Sequence, residues 1–160
     1  MIKMVRLDER MIHGQIAIKW SRHLDVNRII VADDDAANNP VIQQSLMMAA
    51  PATCKTAIVT VDKAIGLCND PRAESLSIVA TPENLLRVAK EVQNIPVINV
   101  GNYGRIAAKQ GTETRKTYDQ NLYLYENEKE ILKQVAATGI RCIMQTTPEM
   151  VAQDLGKMLS

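Results

Sequence analysis

Short runs rich in Val and Ile recur along the chain, at Met1 to Leu7, Arg28 to Ala32, Ala57 to Val61, Leu76 to Ala80, Pro96 to Val100, Leu122 to Tyr125 and Ile140 to Met144. Bounded by Asn, Asp, Gly and Pro, runs of this length read as strands. The first alternates apolar and basic residues, as a half-buried strand would. Between most of them the apolar spacing changes to three or four, as at Ile12, Ile16, Trp20 and Leu24, at Leu85, Ala89 and Val92, and at Ile131, Leu132, Val135 and Ala136. That is the spacing of a helix stripe. Alternating strand and helix predict an α/β fold, an open, mainly parallel sheet of seven strands with helices on both faces.

Three dipeptides, Asn39-Pro40, Thr81-Pro82 and Thr147-Pro148, place a capping side chain before a proline suited to the first helical position, so each predicts a helix start. Gly139 predicts a helix stop, and Val151, Leu155 and Leu159 predict the stripe of a last helix. Trp20 fits the buried side of the first helix, and Met47 and Met48 read as core filler. Residues 101 to 120 lack periodicity and carry Arg105, Lys109, Arg115 and Lys116, which predicts a basic surface loop. With 160 residues and 46% hydrophobic content, the expectation is one domain over residues 1–160.

Lys plus Arg number 19 against 18 for Asp plus Glu, so no general attraction to nucleic acid or an anionic membrane is expected. No stretch reaches the about 18 uninterrupted apolar residues of a spanning helix, and Lys3 and Arg6 interrupt any leader-like start, which predicts a cytoplasmic chain. Cys54, Cys68 and Cys142 are odd in number and widely spaced, as expected of reduced thiols used in packing.

In an open parallel sheet, ligands bind beyond the carboxyl ends of the strands. The loops after the first, second and fifth strands carry Asp8, Arg10 and His13, then Asp33, Asp34 and Asp35, then Gly101, Asn102 and Gly104. His13 falls at a strand-to-helix junction, where unpaired N–H groups favour an anion. A phosphoryl acceptor needs a neutral ring nitrogen, a cation for the equatorial oxygens and donors fixed in advance. His13, Arg10, Gly14 and Gln15 have those chemistries, and a planar guanidinium can hold two phosphate oxygens at once. Asp8 either orients this group or simply caps the turn. Asp33, Asp34 and Asn102 are candidate crevice-lining residues, although a run of aspartates after a strand also serves as turn and cap. His23 reads as a surface residue near a helix end, and no metal site is expected. Gly101-Asn102-Tyr103-Gly104 reads as a tight turn, since it fits neither phosphate-loop fingerprint. No cofactor is therefore expected.

Arg6-Leu7-Asp8-Glu9-Arg10-Met11-Ile12-His13-Gly14-Gln15-Ile16, followed by Trp20, resembles the opening of the IIB subunit of the mannose/fructose/sorbose family of the bacterial sugar phosphotransferase system (PTS). The resemblance continues through Asn27 to Val31 with Asp33 and Asp34, through Met48-Ala49-Ala50-Pro51 and to Asn99-Val100-Gly101-Asn102, and is looser in the last third. It implies that His13 takes phosphate from a phosphohistidine on a IIA subunit and passes it to a sugar entering through membrane subunits IIC and IID, with Arg10 at the phosphate. The implied activity is that of a protein-phosphohistidine–sugar phosphotransferase, cytoplasmic and peripherally associated with the transporter, with an antiparallel last strand in its sheet. The chain departs from the common pattern at Asn102-Tyr103-Gly104 and over Gln110 to Asp119, which leaves the sugar open, as the sequence leaves homo-oligomerisation open. A non-catalytic ligand-binding or regulatory module on the same fold is the alternative, and a histidine phosphatase lacks a second histidine in the first loop. Donor docking is expected on a basic surface formed by Arg6, Lys19, Arg22 and the loop around Arg105.

Overall fold

The computed structural model describes residues 1–160. In chain order the elements are β1 (Ile2–Asp8), α1 (Gly14–Leu24), β2 (Arg28–Ala32), α2 (Asp34–Ala37), α3 (Pro40–Ala49), β3 (Lys55–Val59), α4 (Val61–Cys68), β4 (Ser75–Val79) and α5 (Pro82–Glu91). They continue with β5 (Ile98–Asn102), β6 (Lys116–Asp119), β7 (Leu122–Leu124), α6 (Glu126–Ala136), β8 (Cys142–Met144), β9 (Gln153–Asp154) and α7 (Leu155–Leu159).

Seven strands form one sheet in the order β3-β2-β4-β1-β5-β8-β9. All neighbours run parallel except β9, which is antiparallel to β8. The expected sheet type and strand number therefore hold, but one member differs. The run at Leu122 pairs with β6 in a separate antiparallel ribbon, which meets the end of β5 through a bridge from Leu122 to Tyr103. Its place is taken by Gln153–Asp154, two polar residues with no periodicity to announce them.

Side chains alternate across the sheet. Val5 and Leu7 enter a 25-residue core with α4, α5, α6 and α7, whereas Met4 joins an 11-residue core under α1, α2 and α3. β1 lies between β4 and β5 and is covered on both faces, so the half-buried strand expected from its alternation is instead a central one: Arg6 is 2% exposed.

Asn39 and Thr81 cap α3 and α5 as expected, and α6 ends at Ala136, with Gly139 following in a left-handed conformation. Thr147-Pro148 does not start a helix. There the Gln145 amide donates to the carbonyls of Pro148 and Met150, and the chain turns back to form β9 before Asp154 caps α7. Leu155 and Leu159 are buried as predicted, while Val151 is exposed. Met47 and Met48 are also exposed, because Ile42 and Leu46 form the inward line of α3. Gly101 and Asn102 belong to β5 and Tyr103 bridges to Leu122, so of the expected tight turn only Gly104, with a φ of 103°, leaves the extended path.

All three cysteines are free. Burial pushes the Cys142 thiol up to about 11 and raises that of Cys68, whereas Cys54 is partly exposed. Alkylation of the folded protein at pH 8 is therefore expected to label Cys54 first, because the thiolate is the nucleophile. Peptide mapping that finds Cys68 or Cys142 modified as fast as Cys54 would contradict this.

Candidate functional site

β1 ends at the carboxyl edge of the sheet, and the chain crosses to α1 in a turn closed by a hydrogen bond from Met11 N–H to the Asp8 carbonyl, 2.9 Å. Met11 and Gly14 have φ values of 61° and 50°, so two left-handed residues bracket Ile12 and His13. Ile12 is buried and anchors the turn, leaving His13, Gly14 and Gln15 exposed. Glycine meets the φ requirement at 14 without the strain a side chain would bring.

His13 occupies the N-cap position of α1 with an extended backbone. Its side chain makes no capping bond, and the first turn contains no acidic residue. The opening N–H groups of a helix lack intrahelical partners and carry partial positive charge, so this end of α1 offers uncompensated donors beside an exposed imidazole.

Beneath the turn lies an ion-pair chain built on Asp8, which is 1% exposed. One carboxylate oxygen accepts from the backbone N–H of Arg10 at 3.0 Å and from its Nε at 3.3 Å. The other accepts from Arg6 Nη2 at 3.2 Å. Asp8 thus bonds both to the backbone of the turn and to the Arg10 side chain. Arg10 retains a buried Nη2 that has no acceptor.

Arg6 is the reason Asp8 stays fixed. Its guanidinium also donates to Asn99 Oδ1, to the Gln145 carbonyl at 3.2 Å and to the Thr146 carbonyl at 3.0 Å, and lies over the Trp20 ring at 5.4 Å. Burial pushes its pKa down to about 10, with Asp8 pulling the other way, so it remains cationic at neutral pH. Trp20 Nε1 donates to the same Thr146 carbonyl at 3.0 Å. A Cβ at residue 101 would fall on the Arg6 guanidinium, which explains glycine there. Arg6 is therefore removed from the expected docking surface, because two neighbouring strands and Trp20 enclose it. Lys19 pairs with Glu149 at the surface, and Arg22 and Arg105 are exposed.

The other candidate loops are occupied structurally. Asp33 accepts from Ala36 N–H as the cap of α2, with burial raising its pKa, and Asp34 accepts from Val61 N–H at the start of α4. No hydrogen bond joins either residue to Asp8, Arg10 or His13. Asn102 does adjoin the site: it pairs with Asp8 across β5 and β1, its carbonyl accepts Glu9 N–H at 2.9 Å, and its side chain donates to Asn121. Asn121 in turn donates to Thr146 Oγ1, which donates to the Gly101 carbonyl. His23, near the end of α1, is exposed and meets the edge of Trp20. Sequence reasoning missed the structural roles of Arg6, Glu9 and Thr146.

The profile of the PTS system sorbose subfamily IIB component matches residues 2–160. The chain belongs to that family. A probable phosphotransferase enzyme IIB component of Streptococcus pyogenes serotype M6 is 40% identical over 108 residues, 66% of each chain. The PTS system mannose-specific EIIAB component of Escherichia coli K12 is 31% identical over 96% of this chain, which spans only 48% of that longer relative. The IIB domain of the sorbose permease from Klebsiella pneumoniae superposes with a TM-score of 0.86 over 99% of this chain and 95% of that one, at 22% identity. This PTS IIB component therefore has the fold expected from its opening motif, including an antiparallel strand at the sheet edge.

Proposed function

We propose that His13 is the phosphoryl carrier of this PTS IIB component, accepting phosphate from a phosphohistidine on a IIA subunit and passing it to a sugar presented by membrane subunits IIC and IID. The observation that carries this reading is the exposed imidazole at the uncapped start of α1, beside an arginine that Asp8 fixes. In the first step a neutral ring nitrogen of His13 attacks phosphorus, and its N–P bond forms as the donor's N–P bond breaks. In the second, a sugar hydroxyl attacks: an O–P bond forms, the His13 N–P bond breaks, and the hydroxyl proton leaves to the released imidazole or to water.

Charge on the transferring phosphoryl group spreads over three equatorial oxygens, so positioning and fixed donors supply most of the catalysis. Arg10, with an Nη2 lacking an acceptor, and the first-turn N–H groups at Gly14 and Gln15 supply those donors. Asp8 and Arg6 keep Arg10 in place. Residues 1–160 act as one phosphoryl-carrying domain. No helix of the chain is long and apolar enough to cross a membrane, which suits a cytoplasmic subunit that visits its transporter.

Relatives carry the names of mannose, sorbose, N-acetylgalactosamine and fructose systems, so the sugar is left as a class. The test is incubation with phosphorylated IIA protein carrying radioactive phosphate. The expected product is a phosphoprotein whose label is lost in acid, kept in alkali and mapped to the peptide containing His13. A label on any other peptide would end this reading.

A further inference from the structure

Glu9 is buried, and all the hydrogen bonds of its carboxylate go to one stretch of backbone. It accepts from the N–H groups of Gly104, Arg105 and Ala107, each at 3.0 Å, and from Ile106 N–H at 3.3 Å. Its own N–H donates to the Asn102 carbonyl. A segment without helix or strand must place its backbone polar groups somewhere. This one gives its N–H groups to Glu9, while Arg115 donates to the carbonyls of Ala107 and Ala108 at 3.0 and 2.8 Å. Arg115 is itself anchored on Glu128 at 2.9 Å and over the Tyr125 ring at 4.4 Å.

One face of the segment is thereby fastened to the residue next to Arg10, and the other presents Arg105 and Ile106 to solvent; Ile106 is 68% exposed. Arg105 is held in turn: its Nη2 donates to the Gln120 carbonyl at 2.7 Å, and its guanidinium lies 5.6 Å from the Tyr123 ring centre.

From this geometry we propose that Glu9 is a positioning residue, pinning residues 104–107 beside the His13 turn so that Arg105 meets the anionic face of the phosphorylated donor. The inference rests on the phosphoryl-carrier reading and adds a second, non-local wall to the site. It also assigns Glu9 a use that its acidity would otherwise oppose. A loose carboxylate next to Arg10 would compete for that guanidinium and repel phosphate, whereas four N–H groups hold it just past the end of the neighbouring strand β5. Arg105 is a rim charge, and such charges act on encounter rate and salt dependence more than on chemistry.

The experiment measures transfer from phosphorylated IIA as a function of donor and salt concentration, for wild type, Glu9→Ala, Glu9→Gln, Arg105→Ala and the Glu9→Ala/Arg105→Ala double variant. Glu9→Ala and Arg105→Ala are each expected to raise KM for the donor roughly tenfold with little change in kcat, and to flatten the salt dependence. Glu9→Gln keeps one acceptor oxygen and falls between them and wild type. The double variant should be no worse than the worse single one, because Glu9 acts through Arg105. Wild-type KM in Glu9→Ala, or losses that simply add, overturns the proposal. If Glu9→Ala fails to fold, Glu9→Gln takes its place, and a wild-type KM for the donor in Glu9→Gln or in Arg105→Ala overturns the proposal. Wild-type protein that takes no label overturns the carrier reading and this inference together.

Discussion

His13→Ala protein is expected to take up no phosphate from phosphorylated IIA and to restore no sugar uptake when combined with the membrane subunits. The substitution removes the only atom to which the phosphoryl group would be bonded, so the loss is complete rather than graded. The structure also makes the variant a clean test. His13 is exposed and caps nothing, so alanine removes no packing and no hydrogen bond. Stability should change by no more than about 0.5 kcal/mol, as for surface positions generally. Thermal unfolding that matches wild type while labelling disappears is the expected pair of results. Undiminished labelling of His13→Ala would move the acceptor elsewhere, with His23 the first alternative to examine.

The sheet was readable from sequence where its strands are long and apolar, and unreadable where pairing alone makes them. Ile29–Ala32 and Leu76–Val79 lie inside the sheet and are buried on both faces, so they stand out as apolar runs broken only by Ser77. Leu122–Leu124 has the same appearance, yet it belongs to a ribbon, because composition does not say which edge a three-residue strand will meet. Gln153–Asp154 is a strand only because the turn after β8 returns it to an open edge.

The same division runs through the site. His13, Arg10 and Asp8 are neighbours in sequence, so their meeting is local and a short motif reveals it. Arg6 looked like the outward member of an alternating strand. It is buried because Asp8, Asn99 and two carbonyls beyond β8 together satisfy its donors, and those partners are up to 140 residues away. Glu9 finds its partners 95 to 98 residues away, with no short-range trace of the pairing. The one available signal was the lack of periodicity after Gly101, which shows that the segment's backbone must bond outside a ladder but not to what.

Arg10→Ala should fail differently from His13→Ala. The imidazole and the start of α1 remain, so phosphorylation should still occur at His13, slowed by about 100- to 1000-fold, the usual cost of losing one fixed stabiliser of developing charge. The effect should appear in kcat, since Arg10 acts on charge that grows as the phosphoryl group moves, and should be weaker in KM. Arg10→Lys should recover only part of the rate, because a compact ammonium cannot span two phosphoryl oxygens and has no equivalent of the Nε that Asp8 holds at 3.3 Å. The fold should persist in both variants: Arg10 is partly exposed, and Arg6 still satisfies one oxygen of Asp8. Rapid-quench measurement of the single-turnover rate separates these outcomes from a docking defect, because saturating donor hides a change in KM but not one in the transfer step. A wild-type single-turnover rate in Arg10→Ala would make Arg10 a bystander and leave the backbone N–H groups of α1 as the sole stabilisers of the transferred phosphate.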